Sequence, residues 1–140
     1  MSAHITTGHL TGVDYSPTSV QTSRQTNAVD IAAGKMTLCE GSVESLPFAD
    51  DTFDKITTVE SFYFWPNPPE NLKEVRRVLK PGGTFLLIAE IYGHDGLSAE
   101  VRENIEHYHL YNPTPETFET IFRNAGFSST QVHIEKDHRW

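Results

Sequence analysis

Hydrophobic and polar positions along the chain follow two periods, and the switches between them predict strands alternating with helices. Leu10-Thr11-Gly12-Val13-Asp14 is a short, partly apolar run that ends in an acid. Ser16-Pro17 follows, with a hydroxyl suited to an N-cap and proline at the first helical position, where its missing N–H costs nothing. The pattern predicts a helix from Pro17 toward Ala33, with Val20, Arg24, Ala28 and Ile31 roughly along one stripe and Gly34 as the left-handed residue that ends it. Its many Thr, Ser and Gln residues give it poor helix propensity. Lys35 to Glu40 alternates, with Met36 and Leu38 on one face; Phe53 to Glu60 alternates with Ile56 and Thr58 inward. Both read as strands.

Asn67-Pro68-Pro69-Glu70 has the form of a capping box, in which the Asn67 amide oxygen accepts from the first turn and Glu70 reaches back to the cap's N–H. Leu72, Val75 and Leu79, with Val78 beside them, make one buried stripe and leave Lys73, Glu74, Arg76 and Arg77 to water. Pro81-Gly82-Gly83 stops this helix, because proline cannot extend the ladder and glycine permits a reversal. The segment from Thr84 to Glu90 is almost continuously apolar, the pattern of a parallel strand covered on both faces. A helix from Ser98 to about Leu110 has Leu97, Val101, Ile105 and Tyr108 in step. Another starts at Thr114-Pro115 with Phe118, Ile121, Phe122 and Ala125 buried, and ends at Gly126. Alternation of Val132 and Ile134 predicts a final strand from Thr130 to Glu135. Strands separated by helices of these lengths indicate an α/β layered fold with a mainly parallel sheet.

Composition narrows the class. One hundred and forty residues amount to one domain, and no internal repeat or low-complexity tract suggests a solenoid or disorder. A formal charge of -8 argues against nucleic acid or an anionic membrane surface as partner, since both reward clustered Lys and Arg. Cys39 is the single cysteine, so no disulfide forms within the chain and no cysteine spacing suggests zinc. With no secretory signal and no apolar run of spanning length, the expectation is a soluble, cytoplasmic protein.

Asp14 stands where open parallel sheets grip a ribose, at the carboxyl end of a strand just before a helix. From that residue alone, ordering the turn into Ser16 is an equally good reading. His107 and His109 diverge on a helix with no third ligand evident, so a solvated helix end is the reading rather than a metal site.

Gly-Val-Asp-Tyr-Ser-Pro at residues 12–17, the run from Glu40 to Asp54 containing Leu-Pro-Phe, and Arg-Val-Leu-Lys-Pro-Gly-Gly at 77–83 together resemble class I S-adenosylmethionine-dependent methyltransferases. The likeness is to the small-molecule branch containing quinone-biosynthesis enzymes, and it covers Leu10 to Trp140. It implies a Rossmann-like three-layer sandwich in a single domain over residues 1–140, S-adenosylmethionine as cofactor and a small-molecule methyl acceptor. By the same resemblance Asp14 holds the ribose, Tyr15 lies against the adenine, and Ser42 and Val43 stand near the adenine amino group. Ser42 replaces the family's acid, and a neutral acceptor is worth about half a charged one. Val59, Glu60 and Ser61 pass the methionine part of the cofactor, while Tyr63 and Trp65 face the region where substrates enter.

The catalytic residues are left unknown. Methyl transfer from a sulfonium depends mostly on alignment, and Tyr63, Glu60, His107 and His109 remain equal candidates for a base where the acceptor must lose a proton. The family's glycine-rich loop lies between a first strand and first helix, and no Gly-x-Gly-x-Gly occurs in these residues. The resemblance therefore implies a chain beginning after that unit, with cofactor binding weakened at least roughly a hundredfold. It also implies a gap in the sheet between the strands ending at Asp14 and Glu60. Direct pairing of those strands, the residues Ala3 to Leu10, or a second copy in a homodimer would fill it. A methyltransferase is the first reading, a catalytically inactive binding or dimerisation module the second, and another α/β nucleotide-binding enzyme the third.

Overall fold

The computed structural model describes residues 7–135. The chain divides into two compact units, with the boundary between Pro47 and Phe48.

The first unit comprises strand β1 (Leu10–Asp14), helices α1 (Pro17–Thr26) and α2 (Ala28–Ala32), and strand β2 (Met36–Glu40). β1 and β2 pair in parallel, Leu10 opposite Met36 and Asp14 opposite Glu40. Among its described residues, Val20 from α1 and Met36 from β2 are the buried apolar ones. α1 begins as the sequence predicts, with Pro17 in the first turn and the Ser16 hydroxyl accepting from Ser19 N–H. One continuous helix to Ala33 is not formed. It breaks at Asn27, whose N–H and side-chain amide both donate to the Ser23 carbonyl. A side chain that satisfies the backbone locally competes with the helical ladder, and the preceding Gln-Thr has little propensity to resist. Gly34 takes the left-handed conformation expected of it, at φ 72°.

The second unit contains β3 (Phe53–Val59), a single 3-10 turn (Phe62–Phe64), α3 (Pro68–Val78), β4 (Leu79–Ile88), α4 (Ala99–Tyr108) and α5 (Pro115–Asn124). β3 and β4 are parallel. Phe62, Leu72, Phe118, Ile121, Phe122 and Ala125 form the core, with Trp65, Phe85, Leu87 and Tyr111 among the side chains packed onto it. The predicted stripe of α3 is buried throughout, Leu72 and Val78 completely. Its predicted capping box is absent: Asn67 makes no side-chain cap, and Glu70 instead pairs with Lys73 at 2.7 Å. The return bond comes from Asn71, whose buried Oδ1 accepts from Asn67 N–H.

Three further expectations change. The helix ends at Val78, before Pro81, and β4 already begins at Leu79. The Pro-Gly-Gly segment is absorbed into β4 as an irregularity, so that Phe53 faces Leu79 but Lys55 faces Thr84. β4 is not covered on both faces within its unit, because Phe85 and Leu87 point to the core while Leu86 stays 51% exposed. Finally, residues 130–135 form no strand. Their apolar side chains Val132 and Ile134 are exposed, and alternation without a neighbouring ladder does not make a strand.

Each of the four strands has one ladder partner among the described residues. The segment Ala3 to Leu10, proposed above to fill a gap, lies outside the described residues up to position 6, and Leu10 opens β1. α4 forms with the Ser98 hydroxyl as its cap, and its apolar stripe is only partly covered, with Leu97, Val101 and Ile105 half-buried and Tyr108 exposed. α5 matches expectation in its Thr114 cap, its Pro115 start and its buried face.

Candidate functional site

The candidate residues fall into two clusters, each at the carboxyl end of a parallel strand pair. In the first unit, Asp14 closes β1 and Gly41 follows β2, and Gly41 N–H donates to the Asp14 carbonyl at 3.1 Å. Gly41 is needed there: a Cβ would sit 2.9 Å from the Pro47 ring and 3.0 Å from a Val13 methyl. This contact brings Asp14 and Ser42 to neighbouring strand ends. The Asp14 Oδ1 accepts from Ser16 N–H at 2.8 Å, the turn-ordering role. Its Oδ2 has no hydrogen-bond partner among the described residues, so the same carboxylate keeps an acceptor for a ligand hydroxyl. Tyr15 is 82% exposed, an aromatic face without protein cover. The Ser42 hydroxyl donates to the Glu44 carboxylate and accepts from Glu44 N–H, which sets a tight turn. Val43 is half-buried in that turn.

In the second unit, Val59 is half-exposed at the end of β3, and Glu60 follows with φ 53°. A left-handed glutamate carries a conformational cost that its surroundings must offset. Here the offset is visible. Glu60 N–H donates to the Ile88 carbonyl at 2.9 Å, and its carboxylate accepts from Glu90 N–H at 2.7 Å and from the Tyr63 hydroxyl at 2.8 Å. The two strand tips and the 3-10 turn are thereby tied together. The Ser61 and Thr58 hydroxyls bond to each other alongside.

Burial first, and then the Glu60 carboxylate, push the Tyr63 phenol up to about 12. Tyr63 therefore stays protonated at neutral pH and serves as a donor, not as a base. Trp65 lies beyond the turn against Phe62, with ring centres 5.0 Å apart. His107 stacks edge-on to Tyr108, and His109 is left-handed at the end of α4. The bond from Glu90 to Glu60 joins residues 30 positions apart, and no local motif announces it.

Parallel βα units with acids and hydroxyls at the strand tips define the class, a Rossmann-like α/β protein. Residues 1–87 match the family model described as a methyltransferase domain, and the chain belongs to that family. The chain is 31% identical over 129 residues to the rice (Oryza sativa) chloroplastic 2-methyl-6-phytyl-1,4-hydroquinone methyltransferase 1, covering 92% of this chain and 37% of that protein. It is 37% identical over 79 residues to the ubiquinone/menaquinone biosynthesis C-methyltransferase UbiE of Geotalea daltonii, covering 56% of this chain and 34% of that one.

Among solved structures, a chain from the complex between the Haloferax volcanii Trm112 methyltransferase activator and a methyltransferase superposes with a TM-score of 0.74 at 33% identity, over 85% of this chain and 50% of that one. The YcgJ protein of Bacillus subtilis superposes at 0.72 with 25% identity, over 84% and 51%. The chain thus spans about a third of the curated relatives' length and half of the solved chains. Among the described residues no helix is long and apolar enough to cross a membrane.

Proposed function

We propose that this chain takes part in transferring a methyl group from S-adenosylmethionine to a small phenolic acceptor of the hydroquinone type. The observation that carries the reading is the Gly41–Asp14 contact, which sets an acid with one open oxygen, an uncovered tyrosine ring and the Ser42 turn on adjacent strand tips. These groups fit an adenosyl moiety by their chemistry. Asp14 would accept from ribose hydroxyls, Tyr15 would cover the adenine, Ser42 would accept from its amino group and Val43 would pack beside it. Val59, Glu60 and Ser61 would line the methionine end. When bound, the cofactor supplies an electrophilic methyl on a leaving group that departs neutral, so the protein's work is alignment.

The residues divide that work. The Glu60 carboxylate fixes the tips of β3 and β4 and holds Tyr63 as a donor, and a rigid tip suits a step governed by in-line geometry. The hydroquinone class is drawn from the relatives named above. A single domain over residues 1–140 in the cytoplasm belongs to the same proposal, as does a homodimer covering open strand edges.

Incubation with methyl-labelled S-adenosylmethionine and a hydroquinone tests it. Label transferred to the ring supports the reading. Cofactor binding without transfer to any phenol would leave the inactive binding module instead.

A further inference from the structure

The second unit carries a cavity of about 520 Å³ that none of the strand-tip residues lines. Trp65, Pro66, Tyr111 and Pro113 contribute flat, stiff walls, and His109 and Asn112 contribute polar groups. The volume lies in the range typical of small-molecule sites, roughly 300 to 1,000 Å³. The walls are set before any ligand arrives. Tyr111 N–H donates to the Tyr63 carbonyl at 3.0 Å, Gly93 N–H donates to the Pro113 carbonyl at 2.9 Å, and Trp65 and Tyr111 both lean on Phe62. Gly93 lets this loop approach, since a Cβ there would lie 3.0 Å from the Asn112 carbonyl oxygen.

One feature of the cavity is otherwise unexplained. The Asn112 side-chain oxygen is buried and accepts no hydrogen bond among the described residues. A buried acceptor left unpaired is costly, and a water, an ion or a ligand donor would satisfy it. His109 holds a left-handed conformation, φ 51°, as the residue where α4 turns into the cavity wall. Its N–H donates to the Ile105 and Glu106 carbonyls, so the conformation is that of a helix C-terminal cap, and it turns the imidazole's residue into the wall. Aromatic and proline faces select a planar ring, an orphan acceptor selects a ligand that donates, and an imidazole beside it serves a second polar substituent.

We infer that this cavity binds the phenolic ring of the acceptor, with a ring hydroxyl donating to Asn112 Oδ1. The inference rests on the proposed transfer to hydroquinones and adds the place where the ring is held. Trp65 then stacks on the ring, which gives an optical signal.

The test is fluorescence titration of Trp65 in a Trp140→Phe background, which removes the second tryptophan. The probes are trimethylhydroquinone under reducing conditions and its dimethyl ether, which keeps the ring and loses both donors. The expected result is saturable quenching by the hydroquinone at millimolar or lower concentration, with the ether roughly tenfold weaker for one lost hydrogen bond. Asn112→Leu should stay folded, because it replaces an unpaired polar atom by an apolar one of similar size, and should abolish the preference for hydroquinone over ether. No saturation, or equal binding of hydroquinone and ether by the parent, overturns the inference. A thermal shift with S-adenosylmethionine on the same samples separates the two proposals. A retained shift without quenching sinks only the ring site, and quenching without a shift supports the ring site while sinking the donor reading.

Discussion

At the end of β1 the Asp14 carboxylate bonds to its own turn through one oxygen and leaves the other open, whereas at the end of β3 both oxygens of Glu60 are taken by protein donors. The surroundings differ in the same sense. Tyr15 stands uncovered beside Asp14, while Tyr63 beside Glu60 is buried. Two acids at equivalent strand ends thus do different work: one is free to recognise a ligand, and the other holds strand tips and a turn in place. The contrast extends to the units that carry them, since the second has a contiguous aromatic and aliphatic core and the first relies on Val20 and Met36.

The core contrast gives the largest expected effect. Leu72→Ala removes a fully buried side chain and should destabilise the second unit by about 3 kcal/mol, while Val20→Ala should cost clearly less. Urea unfolding of both variants measures this, and equal losses would erase the distinction between the units.

The Glu60 latch comes next. Glu60→Gln removes the negative charge that helps raise the Tyr63 phenol, so its titration should fall from about 12 toward 10.0, though not all the way, because burial is the larger cause. Ultraviolet absorbance of tyrosinate follows it as a difference against Tyr63→Phe controls, which subtract the other four tyrosines. The sign for stability is fixed: the folded value lies above the unfolded one, so the contribution of Tyr63 is complete below pH 10.0 and is lost as pH rises toward 12. An unchanged Tyr63 titration in Glu60→Gln would mean that burial alone sets it.

Helix caps give the smallest effect. Thr114→Ala removes the bond from Thr117 N–H and should cost about 1 kcal/mol. Asn67→Ala, at a cap that makes no side-chain bond, should cost less by thermal melting.

The sequence made legible what depends on periodicity and local turn chemistry: β1, β2, β3, the buried stripe of α3, and α5 with its Thr114 cap and Gly126 end. Where a side chain had a competing local partner, the pattern misled. Asn27 capped the chain inside a predicted helix, and Asn71 took the role assigned to Glu70. Val132 and Ile134 alternate as a strand does, but a strand also needs a neighbour, which periodicity does not supply. The candidate cofactor residues followed from family motifs. Contacts across long sequence separations did not, as with Glu60 to Glu90 or the cavity around Asn112, because no local pattern encodes them.

The claim on which the account turns is that the open oxygen of Asp14 serves a ribose. Calorimetric titration of S-adenosylmethionine into the parent chain and Asp14→Ala tests it most directly. Loss of a charge-assisted pair should weaken binding roughly ten- to a hundredfold, with Glu60→Gln much less affected. Undetectable heat from the parent at millimolar cofactor, or equal affinity in Asp14→Ala, would contradict it.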